Sequence, residues 1–384
     1  MRCMVVTTLM VLSSGLLPAL GLLGVAGPSW ERVRIGGSDE ERAVTCRVVA
    51  EAVDGGLLLE HADQRLEIVQ PADVKAREPL VEPPAPLSPK ELAAEVLRTL
   101  PAGFDHLVTR RYVVCFDTSR AYAQWCAALF ERLHDAFISF WRHAGLELDG
   151  PQQRLVVVIF ADRQRYVETV AGDLGAASER VVGYYNLLTN RVTTFDLTGS
   201  DGLDGRAGRA ASRAGLEILA SRQASGLVAT LVHEATHQMA FNSGLHQRLA
   251  AVPLWVSEGV AIYFETPDLE SDRGWRGIGG VNRSRRERFL ATVNRGWLER
   301  LVRGDEAFRD PDSALDAYAG AWAATAFLLQ ARKEMFVAYL RTLAAKEPLV
   351  EDDPDRRVAE FTAAFGAAPA KLEEAILKHV TRLK

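Results

Sequence analysis

The stretch GLVATLVHEATHQMAF, Gly226 to Phe241, carries His233 and His237 four positions apart, with Glu234 between them. Leu227, Val228, Leu231, Val232, Ala235 and Met239 recur at helical spacing, which predicts a helix buried along one side, and Asn242, Ser243 and Gly244 supply a stop. On such a helix residues four apart share a face. The two imidazoles can therefore converge on one ion while the intervening carboxylate reaches a water held by that ion. This is the H-E-x-x-H pattern, and it points to metal-assisted hydrolysis with Zn2+ as cofactor. With eight histidines in 384 residues, the pattern arises by chance in roughly one chain in a hundred of this length, so context decides. The motif lies mid-helix, and a charged Glu234 in an otherwise apolar, alanine-rich helix argues against a merely solvated face.

A catalytic zinc takes three protein ligands and leaves a fourth position for water, so a further donor is required. A metzincin would have glycine at Ala240 and histidine at Ser243, and neither is present. Two candidates remain downstream. His246 falls just past the expected helix end, whereas Glu258 sits in the apolar run Pro253 to Glu265. Pro253 suits the first position of a short second helix and Pro267 closes the segment, so the two helices can pack antiparallel with Glu258 facing inward. A buried carboxylate needs a cation, and an ion held by His233 and His237 provides one. Glu258 is the expected third ligand.

These residues carry a resemblance. The order H-E-x-x-H, then glutamine, asparagine and glycine, then proline, tryptophan and the run Ser257 to Glu265 (SEGVAIYFE), resembles the gluzincin metallopeptidases. Within them it is most similar to an exported bacterial branch of unassigned function. The resemblance is dense from Thr230 to Thr266 and extends in general layout from Arg110 to Lys346. It implies that His233, His237 and Glu258 bind zinc, that Glu234 is the general base, and that the substrate is a peptide or protein. Thermolysin-like members place an aspartate four residues after the ligand glutamate to orient a zinc histidine; here that position is Ile262, leaving Asn242, Ser257 and Glu265 as possible suppliers. A tyrosine or histidine of the C-terminal lobe stabilises the oxyanion in such enzymes, which makes Tyr318 the candidate here. The rival expectation is an exported zinc-containing protein that binds peptide or cell wall without turnover, since fold does not dictate function.

The rest of the chain sets the frame. Residues 1–27 combine Arg2 with an apolar stretch ending in small residues, read as a secretory signal or an uncleaved membrane anchor, so the protein is expected to be exported. Residues 28–77 read as a small β module resembling SH3-like modules, with a hairpin at Asp54-Gly55-Gly56, and residues 78–89 read as a proline-rich linker. Residues 90–384 then form the gluzincin-like domain. Apolar strands are expected at Arg111 to Phe116 and Arg154 to Phe160, and a hairpin at Val181 to Leu197 turning at Thr189-Asn190. That hairpin is the candidate peptide-binding sheet edge. Gly199 to Ala224 reads as a flap or inserted helix, and helices are expected at Arg286 to Val302, Tyr318 to Ala344 and Ala370 to Leu383. The fold class is therefore α+β: a zincin-like lobe with a mixed sheet and active-site helix, a helical C-terminal lobe, and the small β module in front. A net charge of −5 spread along the chain disfavours nucleic acid, and the arginines at 283, 285, 286 and 288 read as a solvated loop and helix start. Cys46, Cys115 and Cys126 lie beyond the signal; buried thiols are expected over a Cys115–Cys126 pair.

Overall fold

A computed structural model of the chain describes residues 30–36, 41–199, 225–266 and 277–383. The expected signal at 1–27, all but the first residue of Gly199 to Ala224, and Pro267 lie outside the described residues. The architecture is α+β, with an N-terminal β module, a mixed sheet and a helical C-terminal region. Among the described residues no helix is long and apolar enough to cross a membrane.

The module is an antiparallel sheet of β1 (Trp30–Gly36), β2 (Glu41–Glu51), β3 (Leu57–His61), β4 (Leu66–Val69) and β5 (Val74–Pro79), in the order β4-β3-β2-β1-β5. Alternating Val33, Ile35, Cys46, Val48, Leu57 and Leu59 fill its small core. Gly55, with φ of 90°, makes the turn between β2 and β3. Strand β5 runs two residues into the segment read as linker, because Glu78 and Pro79 pair with Arg32 and Glu31. As an edge strand it tolerates the missing proline N–H.

After Ser88 caps α1 (Pro89–Arg98) through a reciprocal bond with Glu91, the second sheet begins. It comprises β6 (Asp105–Val108), β7 (Tyr112–Phe116), β8 (Leu155–Phe160), β9 (Gly183–Asn186) and β10 (Arg191–Phe195). Its order is β6-β7-β8-β10-β9; β7, β8 and β10 run parallel, and both edge strands are antiparallel to their neighbours. The expected hairpin is present, turning at Asn190 with φ of 59°, and β9 is its edge strand. Helix α2 (Arg120–His143) crosses from β7 to β8, and α3 (Arg163–Leu174), capped by Asp162, follows β8. All three described cysteines are free and buried.

The motif helix α4 (Ser225–Asn242) lies against β9, β10 and α2, and α5 (Leu254–Phe264) packs on it. The C-terminal region departs from the expected long helices. Arg286 to Val302 is divided into α6 (Arg283–Thr292) and α7 (Trp297–Arg303), with Gly296 at φ of 81° between them. Tyr318 to Ala344 is divided at Arg332 into α9 (Ala314–Ala331) and α10 (Lys333–Ala344), with the short α8 (Glu306–Arg309) before them. Helix α11 (Pro354–Phe365), capped by Asp353, precedes α12 (Pro369–Arg382). Periodicity alone misses such breaks because neither Val293 nor Arg332 interrupts the apolar repeat. The arginine run is also less solvated than expected. Arg286 donates to the carbonyl oxygens of Val380 and Thr381, and Arg288 pairs with Asp316, pinning α6 to α12 and α9.

Helix α5 approaches α9 at Gly259, where an added Cβ would collide with Thr325 Oγ1 and lie 2.8 Å from the Ala321 carbonyl oxygen. The close approach fixes the helix that carries Glu258. Gly259→Ala is expected to lower unfolding free energy by about 1–3 kcal/mol through overpacking, as read from chemical denaturation of the purified variant; wild-type stability would show that the contact yields without cost.

Candidate metal centre

Helices α4 and α5 bring His233, His237 and Glu258 together, with one ligand atom from each lying within 4.8 Å of the others. The His233 and His237 Nε2 atoms are 3.1 Å apart, and Glu258 Oε2 is 3.1 Å from the first and 3.5 Å from the second. The rings meet edge to face, with centroids 4.7 Å apart. Each of the three side chains is no more than 3% exposed. Such a buried set has unspent bonding capacity: His237 Nδ1 and Glu258 Oε1 find no hydrogen-bond partner. The three residues can hold a metal ion.

Electrostatics agree with a cation-seeking cluster. Burial alone pulls the His233 imidazole down, but hydrogen bonds to Glu258 and Glu265 and the charges of Glu258 and Glu234 override it and lift it to about 10. For Glu258 burial pushes upward, yet the adjacent His237 and His233 hold the carboxyl below its ordinary range. Glu234 moves the other way: burial raises it, and the attraction of the two histidines offsets this only in part.

Glu234 is fully buried on α4, and its Oε2 accepts the Tyr185 backbone N–H at 2.8 Å. This bond ties the carboxylate to edge strand β9, and Tyr185 is a participant that side-chain motif reading could not find, because only its amide is involved. Of the three possible partners for a histidine, the structure brings up Glu265. The His233 Nδ1–H faces Glu265 Oε2 at 3.1 Å, leaving Nε2 directed at the other two donors. Asn282 donates to Glu265 Oε1 at 2.5 Å, and Arg285 Nε stands 3.9 Å from the same oxygen. Glu265 follows Glu258 by seven positions, two helical turns along the same face, where the thermolysin-like aspartate follows by one. Ser257 instead bonds the Leu254 carbonyl, and Asn242 bonds Asn190 and the Gln238 carbonyl.

His246, the other candidate ligand, does not join the cluster. It is buried beside the Phe241 ring, neither ring nitrogen finds a partner, and burial drops its basicity to about 3. Tyr318 is buried on α9, its ring edge-on to Phe308 and the Arg285 guanidinium 5.4 Å from its centroid. It is thereby linked to His233 through Arg285 and Glu265.

Residues 227–350 match the model of a family described as a protein of unknown function, DUF1570. The matched segment runs from α4 past α10 and so contains every residue of the cluster, Glu265 and Tyr318. No curated protein matches the chain.

Two outcomes follow from this geometry. Glu265→Ala is expected to weaken divalent-metal binding about 10–100-fold, measured by competition with a chromophoric chelator; unchanged affinity would remove Glu265 from the role. Because His233 holds a proton well above neutrality, metal uptake at pH 7 is expected to release about one proton per ion and to tighten as pH rises. Calorimetry in buffers of different ionisation enthalpy reads the proton count, and a count of zero would contradict it.

Proposed function

We propose that the chain is a zinc-dependent hydrolase of peptide bonds, with His233, His237 and Glu258 as metal ligands and Glu234 as general base. The observation that carries this reading is the shape of the donor triangle. Ligands about 2.0–2.1 Å from a tetrahedral zinc stand about 3.3 Å from one another, and the measured edges are 3.1, 3.1 and 3.5 Å. Two imidazoles with one carboxylate also suit zinc better than calcium or magnesium, which prefer all-oxygen shells. Glu258 Oε1, buried without a hydrogen-bond partner, fits a carboxylate that awaits a cation.

When bound, zinc supplies Lewis acidity, polarising a carbonyl and bringing the pKa of a water toward neutrality. The chain's own residues do the rest. Glu234, held in orientation by the Tyr185 N–H, takes the proton of the attacking water and returns it to the leaving nitrogen. Its burial-raised pKa suits a group that must both accept and release a proton. Glu265 keeps the Nδ1 proton of His233 in place so that Nε2 remains available to the metal. The peptide as substrate, β9 as its docking edge and Tyr318 as the stabiliser of developing oxyanion charge are assigned on the gluzincin resemblance. Export is proposed from the apolar leader at 1–27.

A second reading, an exported zinc-containing binding protein, is favoured by one observation: Glu234 and all three donors are nearly inaccessible, at 0–2% exposure. One experiment separates the two. Glu234→Gln is expected to retain about one zinc per chain while losing nearly all cleavage of a peptide library, and His233→Ala to lose both. Equal cleavage by wild type and Glu234→Gln, or cleavage indifferent to chelator, would end the catalytic reading; zinc without cleavage in the wild type would favour the binding protein.

A further inference from the structure

We propose that the N-terminal β module is a working part of the metal centre: Gln64, at the tip of its β3–β4 hairpin, positions Asn190, and Asn190 positions the strand whose Tyr185 N–H holds Glu234. The link to turnover rests on the function proposed above; the link to Tyr185 does not.

Asn190 is the hub. Its Oδ1 accepts from the Tyr185 hydroxyl and from Asn242 Nδ2, both at 2.7 Å, and its Nδ2 donates to Asn242 Oδ1 at 2.8 Å and to Gln64 Oε1 at 2.9 Å. All four bonding positions of the amide are filled, and Gln64 supplies the one that comes from the module. The Asn190 carbonyl also accepts from Gln238, the residue after His237, and Asn242 closes the same helix at its C-terminus. With Asn190 only 4% exposed, losing Gln64 strands an amide N–H where water has little access.

The hairpin tip is clamped for this task. Arg248 donates to the Gln64 carbonyl at 2.8 Å and to Glu60 at 2.7 Å; Gln153 donates to the Ala62 carbonyl at 2.6 Å; and the Leu66 N–H meets the Leu188 carbonyl at 2.7 Å. Beneath it, Ala50, Leu58 and Leu66 pack with Leu188, Leu249 and Leu349. Backbone strain marks the same seam. Among the described residues the non-glycine positions with positive φ are Gln64, Asn190, Leu249 and Leu349, at 66°, 59°, 60° and 62°. All four lie at this junction. Asparagine tolerates this conformation at a turn, but Gln64, Leu249 and Leu349 adopt it only where their surroundings compel it, and such strain gathers at working sites.

The test uses the full chain and reads hydrogen–deuterium exchange at the Tyr185 amide, with helix α9 as internal control. Gln64→Ala is expected to speed exchange at Tyr185 about tenfold with α9 unchanged, and Gln64→Glu, which keeps an acceptor oxygen, to remain at the wild-type rate. In the peptide-library assay Gln64→Ala is expected to lower kcat about tenfold with KM and bound zinc unchanged. Wild-type exchange at Tyr185 in Gln64→Ala would overturn the proposal, as would equal acceleration in α9, the mark of general loosening. If wild-type protein cleaves no peptide, the functional reading fails while the exchange data still decide the brace.

Discussion

Everything in the centre follows from the cost of burying Glu258. A carboxylate 1% exposed in an apolar interior is tolerable only beside positive charge, and two imidazoles at 3.1 and 3.5 Å are what the fold provides. His233 meets that need with a proton it keeps above neutrality, and a metal ion would take that proton's place. The cluster is thus a question posed by the protein interior to which a cation is the answer. The second carboxylate, Glu265, sharpens it by fixing which nitrogen of His233 bears hydrogen.

Geometry descends from packing. Glu258 faces the histidines because α5 lies against α4, and α5 lies there because Gly259 lets it press onto α9. Glu265 is held by Asn282, which also caps α6, and by Arg285, whose guanidinium rests on Tyr318. The C-terminal helices are therefore not an appendage: they grip the far end of the helix that delivers the third donor.

Much of this was legible in the sequence, and the boundary of legibility is physical. Motif helix, short second helix, buried strands and the β9–β10 hairpin rest on local periodicity and turn chemistry, so His233, Glu234, His237 and Glu258 could be placed together before any coordinates. Glu265 was one of three suppliers that spacing could not rank, although its position two turns beyond Glu258 was a usable signal. The breaks at Val293 to Gly296 and at Arg332 left no mark in the apolar pattern. Contacts with no local signature stayed hidden: the Tyr185 amide reaching Glu234, Asn190 meeting Gln64 across 126 residues, and Arg248 bonding Gln64 across 184. The module's part in the centre stayed hidden because nothing in its own alternation reveals what its hairpin tip touches.

Between module and lobe the backbone runs through Leu80 to Ser88, where Val81 is fully exposed. The described cysteines are free, so no disulfide among them spans the seam. A protease nick in this strap would sever the chain without parting the halves, since the clamp at the hairpin tip and the apolar patch beneath it are indifferent to chain continuity. Cleaved material would copurify as a complementing pair of fragments, and the N-terminal piece could be supplied in trans.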